Sequence, residues 1–300
     1  MSRLNRYQES FSKHISKKEY CYYDIICEYE DKEYLLPVLL LTIMNTEQKK
    51  RKLSYHGYHA AYGVYLLDIY LKIILDKERF IARYSVSKLI NVMNSLIYRM
   101  IFYWYKNMES VSRKNSQKII NLIDEFEKVI YDDIILTPVL KNRTDMHRNF
   151  LIDNDELKTK FKCIKLLNEE SCNSIKLKYS QVVEFICLLG YYLGEGDYSY
   201  VTDIINIGKS FGEIIKYSID YGRLEQDINE LNNKNIVISS GMQKSYETFI
   251  SAKKELVVSS MKVDYFGVTL NEILGKIDER VDLVIEDMTY DLKTSYSTLT

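Results

Sequence analysis

Glycine and proline are scarce in this chain, at 11 and 2 of 300 residues, against roughly 12% together in ordinary globular proteins. So few turn formers exclude a sandwich or barrel, which needs a turn signal about every 8–12 residues, and leave long helices. The five cysteines, Cys21, Cys27, Cys163, Cys172 and Cys187, form no CxxC pair. Neither a disulfide framework nor a zinc knuckle is indicated, and a reducing, cytoplasmic setting is expected. Long apolar runs are also missing, because the best stretches, 34–44 and 182–193, are broken or too short to span a bilayer. The first 20 residues hold no apolar h-region, so neither a membrane span nor a standard secretion signal is expected. No sign of charge dominates: Lys+Arg 41 against Asp+Glu 42 leaves −1. Such a balance creates no global field toward an anionic membrane or nucleic acid, and no nucleic-acid partner is expected.

What is present is apolar and aromatic. The chain is 46% hydrophobic with 27 tyrosines, enough for one large core or two small ones. Heavy use of Ile, Lys, Asn and Tyr fits an AT-rich genome, for instance a viral one. Over 59–75, Val64, Leu67, Leu71 and Ile74 fall on one helical face. Over 87–105, Leu89, Val92, Met93, Leu96, Met100 and Tyr103 do the same, and 116–136, 178–193, 200–221 and 246–258 repeat the pattern. Pro37 suits a first helical turn, and Pro138 should end the helix before it. The polar stretch 140–156 reads as the one long connection. No internal repeat is visible, so one all-α domain is expected over 31–282, after an N-terminal segment 1–30. A C-terminal helix fraying into a tail over 283–300 follows, where the apolar stripe fades.

In order, these helices resemble the trans-isoprenyl diphosphate synthases, the polyprenyl synthetase family, from about residue 31 to residue 280. The segment Asp31-Lys32-Glu33-Tyr34-Leu35-Leu36-Pro37 resembles the family's GGKxxRP, with Glu33 and Leu36 in place of its lysine and arginine. The helix over 60–76 resembles the one bearing the first DDxxD, whose positions here read Leu75, Asp76, Lys77, Glu78 and Arg79. Tyr84-Ser85 stands where the family has Phe-Gly, and Lys178-Tyr179 where it has Lys-Thr. The stretch 201–220, with Ile207-Gly208-Lys209-Ser210-Phe211, is similar to the helix bearing the second aspartate-rich motif. There Gly212 replaces the glutamine, and the DDxxD positions read Ile215, Lys216, Tyr217, Ser218 and Ile219. Asp220 comes one residue late, a rotation of about 100° on a helix, away from the family's cavity.

The resemblance implies an isoprenoid-synthase-like bundle of about ten helices, commonly dimeric. In that family, facing aspartate pairs hold Mg²⁺ against departing pyrophosphate. With Asp76 alone on one wall and Lys216 on the other, a three-metal cluster is not expected, because a lysine repels the cation an aspartate would hold. The reading is therefore a catalytically degenerate binding or regulatory subunit, a homodimer or the nonproductive half of a heterodimer with a prenyl synthase. It would carry no cofactor and have an isoprenoid diphosphate as ligand. The alternatives are an enzyme with a reduced Mg²⁺ set, using Asp76, Glu78, Lys178 (for diphosphate) and Asp220, and a purely structural helical interaction protein.

Other signals have plain readings. Asp132-Asp133-Ile134-Ile135-Leu136 lacks a third acid and reads as a solvated helix end, and Asp124, Glu125 and Glu127 as an exposed face. His56 and His59 share a helical face without a third ligand at motif spacing. Gly194-Glu195-Gly196-Asp197 reads as a tight turn in which glycine supplies positive φ. The tyrosines at 20, 22, 23, 62, 65, 70, 98, 103 and 105 either line a prenyl-accepting cavity or are bulky core and interface residues. The lysines at 49–52 and 253–254 read as solvated.

Overall fold

The computed structural model describes residues 3–15, 22–30, 32–51, 56–132, 155–265 and 267–288, and among them every regular element is helical. The elements are α1 (Arg3–Ile15), α2 (Tyr23–Glu28), α3 (Leu35–Arg51), α4 (Tyr58–Leu75), α5 (Lys77–Tyr84), α6 (Val86–Asn107) and α7 (Arg113–Asp132). They continue with α8 (Asp155–Cys163), α9 (Glu169–Leu193), α10 (Val201–Gly222), α11 (Leu224–Asn229), α12 (Ile236–Ser240), α13 (Met242–Lys262) and α14 (Val268–Met288). The protein is all-α. Its count exceeds ten because α2, α5, α11 and α12 run only five to eight residues, too short to carry a periodic stripe of their own. No described helix is long and apolar enough to cross a membrane.

The chain separates into two compact units that interleave along the sequence. The first comprises Met1–Lys128, Phe185–Ile205 and Tyr265–Glu272, and the second Val129–Glu184, Asn206–Asp264 and Ile273–Thr300. The expected 31–282 domain is therefore shared between them.

In the first unit α4 is the central element. It buries Tyr62, Val64, Leu66, Leu67, Ile69, Tyr70 and Ile73 on several faces, the pattern of a helix enclosed by others. It packs against α6 and α3. Asn107 closes the end of α6 and the start of α4 together. Buried, it accepts from Ala60 N at 3.0 Å and donates to His56 O at 2.7 Å, supplying an N-terminal hydrogen bond that the helix cannot make itself. Trp104, Phe126 and Phe185 fill the space beside it, the two phenylalanines stacked at 4.0 Å.

The turn at 194–197 has positive φ at Glu195, 62°, and not at its glycines, which corrects the expectation. Gly194 is there because a Cβ would meet Glu47 Cβ at 2.6 Å and Met44 O at 2.8 Å. The Glu195 carboxylate accepts from Ser112 N (2.6 Å), Ser112 Oγ (2.7 Å) and Asn115 Nδ2 (2.6 Å). A remote acid thereby caps α7, where an anion suits the helix dipole.

In the second unit α9 and α10 approach closely at Gly208 and Gly212, one helical turn apart. A Cβ on Gly212 would lie 2.6 Å from Ser180 Cα, and one on Gly208 would collide with the Glu184 backbone. Lys253, expected to be solvated, instead pairs with Asp278 of α14 at 2.5 Å. α7 is described to Asp132 and α14 to Met288. The readings at 133–136, Pro138, 140–154, Lys52 and beyond Met288 lie outside the described residues.

Candidate functional site

Asp76 and Glu78 fall in the first unit, and Lys178 and Asp220 in the second. Asp76 forms the joint between α4 and α5, accepting from Phe80 N through its backbone carbonyl and facing Arg79 at 3.9 Å. Glu78 is exposed in the first turn of α5, and Lys178 is half-buried on α9.

Asp220 is enclosed. Its Oδ1 meets Lys216 Nζ at 2.5 Å, both side chains being at most 4% exposed, and its Oδ2 accepts from Ile236 N at 2.8 Å. Its backbone oxygen accepts from Asn235 Nδ2, which also donates to Asp227 Oδ2, each at 2.8 Å. Asn235 Oδ1 in turn accepts from Val237 N and Ile238 N and caps α12. Asp227 holds Asn232 at 2.9 Å. Burial pushes the Asp220 carboxyl up, opposed by the Lys216 ammonium and the Ile236 N–H. This network ties the end of α10 to α11 and α12, and both carboxylate oxygens are used within it. Asp220 thus stands in a buried pair with Lys216. Among the described residues no group of three or more His, Cys, Asp or Glu is placed to hold a metal ion.

His56 and His59 lie with ring centroids 5.3 Å apart, and His59 stacks on Tyr103. Tyr62, Tyr65 and Tyr70 are buried, and Tyr62 meets Tyr103 at 4.5 Å and Tyr65 at 5.9 Å. Tyr62 thus packs on both Tyr65 and Tyr103 within the first unit, while Tyr98 is exposed.

The second unit contains a cleft of about 210 Å³ that the sequence did not indicate. The first turns of α9 line it with Glu169, Cys172, Asn173 and Lys176, α10 with Tyr217, and the α12–α13 junction with Ser239, Ser240, Lys244 and Thr248. Ser239 Oγ accepts from Leu167 N at 3.1 Å and anchors the connection before α9. Burial pushes the Tyr217 phenol up to about 12, helped by the charges of Glu213 and Asp220, so it keeps its proton. Burial likewise raises the Cys172 thiol, against a hydrogen bond from Ser240 and the charge of Lys176. It is a poor nucleophile there. Lys244 and Glu169 pair at 3.2 Å with both side chains mostly exposed.

The sequence does carry a faint trace of this wall. Glu169, Cys172, Asn173 and Lys176 fall at i, i+3, i+4 and i+7, a polar helical face, but its meeting with Tyr217 and Lys244 is tertiary.

No family model matches the chain, and no curated protein matches it.

Proposed function

We propose that this protein is a noncatalytic binding or regulatory subunit, related in architecture to the trans-isoprenyl diphosphate synthases but without their magnesium-dependent chain elongation. The observation that supports this reading most is the Lys216–Asp220 pair. At the stretch resembling the second aspartate-rich helix, the carboxylate that follows the motif positions, Asp220, is engaged by a lysine and a backbone N–H. A buried carboxylate already paired with an ammonium and a backbone N–H is a poor ligand for a hydrated Mg²⁺, which needs oxygen ligands in near-octahedral array and is repelled by the adjacent cation. At the other stretch, Asp76 sits in a helix joint beside Arg79. In this reading the protein works by association in the cytoplasm, as a homodimer or beside an intact prenyl synthase, with an isoprenoid diphosphate as its ligand.

Incubation of the purified chain with isopentenyl and allylic diphosphates plus Mg²⁺ tests the proposal, together with native mass analysis alone and mixed with a prenyl synthase. The expected result is no elongated product and a defined oligomer. Robust elongation would overturn it and make Asp76→Ala the next variant to assay.

A further inference from the structure

The cleft in the second unit has an asymmetric lining. Lys176 and Lys244 bring two ammonium groups, Ser240, Tyr217 and Thr248 bring hydroxyls, and Asn173 an amide. The one acid in the lining, Glu169, is engaged by Lys244. Lys176 makes no ion pair among the described residues. Its charge is felt at Cys172 and Glu213. Tyr217 keeps its O–H at neutral pH, so it too can donate. A surface pair such as Lys244–Glu169 is weak and readily rearranged, so both lysines can turn to a ligand. The volume of about 210 Å³ is some seven water molecules' worth at about 30 Å³ each. That is room for a compact polyoxygen group rather than one ordered water.

We infer that this cleft is a binding site for a phosphate-class anion, held by Lys176 and Lys244 with a hydroxyl donor from Tyr217. Two ammonium groups and a phenol that keeps its proton are complemented by a ligand made of lone pairs, and phosphoryl oxygens accept from several donors at once. The buried Cys172 contributes shape rather than reactivity. The site requires no metal, because its positive charge comes from the side chains. It does not depend on any relation to prenyl synthases, since none of its residues is one that the resemblance marks for diphosphate or metal.

The test is calorimetric titration of the full chain with inorganic phosphate and with pyrophosphate. It is run at fixed ionic strength with a chelator present, so that no magnesium-bridged diphosphate site contributes. Lys176→Ala, Lys244→Ala and Tyr217→Phe are compared with Lys254→Ala, an exposed α13 lysine outside the cleft that removes the same charge. Melting curves confirm that each variant is folded. The expected result is saturable 1:1 binding of at least one of the two anions. Lys176→Ala should weaken it about tenfold or more, as loss of a charge-assisted contact does, with Lys254→Ala unchanged. Tighter binding of pyrophosphate than of phosphate would indicate that the cleft takes two phosphoryl groups, and the reverse order one. Absence of saturable binding for both anions at millimolar concentration overturns the inference. So does equal weakening by Lys176→Ala and Lys254→Ala, which would reduce the effect to general charge.

Discussion

Asp220 shows what one misplaced carboxylate becomes when it is buried. Removing a partner from a buried ion pair leaves an uncompensated charge, so Asp220→Ala should cost about 3–5 kcal/mol in denaturant unfolding. Lys216→Met combined with Asp220→Asn should recover much of that loss, because asparagine can still accept from Ile236 N. A single-variant loss near zero would show that the pair does not organise α10 to α12. Glu184 and Glu213 make a separate pH argument. Burial raises both carboxyls above their ordinary 4.5, opposed by Lys209 and by Lys176 respectively, while Glu255 adds to the rise at Glu213. Above that ordinary value the folded chain holds protons that the unfolded chain has released. Stability from these groups is therefore present at lower pH and is lost as pH climbs from about 4.5 through their folded values. The variant Glu184→Gln/Glu213→Gln should gain melting temperature over the parent at pH 7 and lose that advantage at pH 4. An advantage independent of pH would refute the assignment.

Among the helices, α9 and α10 depend on missing side chains for their approach. Gly212→Ala would force a methyl against the Ser180 backbone, and overpacking of this kind costs about 1–3 kcal/mol. Equilibrium unfolding measures it, and an unchanged midpoint would mean the helices can part without loss. The entry to α7, through Ser112 and the Asn115 side chain, relies on Glu195, far away in sequence. Glu195→Ala should destabilise the protein by about 1 kcal/mol, the usual worth of a lost cap, with Glu195→Gln intermediate. Neither dependence is visible in local pattern. Gly208 and Gly212 are merely two glycines a turn apart until a neighbouring backbone is brought against them, and Glu195 is merely a turn residue.

For the molecule as a whole, the proposed noncatalytic role predicts that adding Mg²⁺ or a chelator leaves the melting temperature unchanged, because an ion that binds only the folded state would raise it. A magnesium-dependent rise would reopen the reduced-metal reading of Asp76 and Glu78. The all-α class was legible in the sequence, because scarce Gly and Pro and a recurrent 3.6-residue apolar period act within single helices and need no partner. Stretches such as 59–75, 87–105 and 200–221 therefore appear as α4, α6 and α10 within a few residues. Tertiary structure alone decided that Asp220 and Lys216, an ordinary i, i+4 pair on paper, are dry. It also decided that Tyr62 of α4 packs against Tyr103 of α6, and that Lys176, Tyr217 and Lys244 meet around one cleft. Helical periodicity fixes which way a side chain leaves its own axis, whereas burial, pairing and charge depend on which other segment stands opposite.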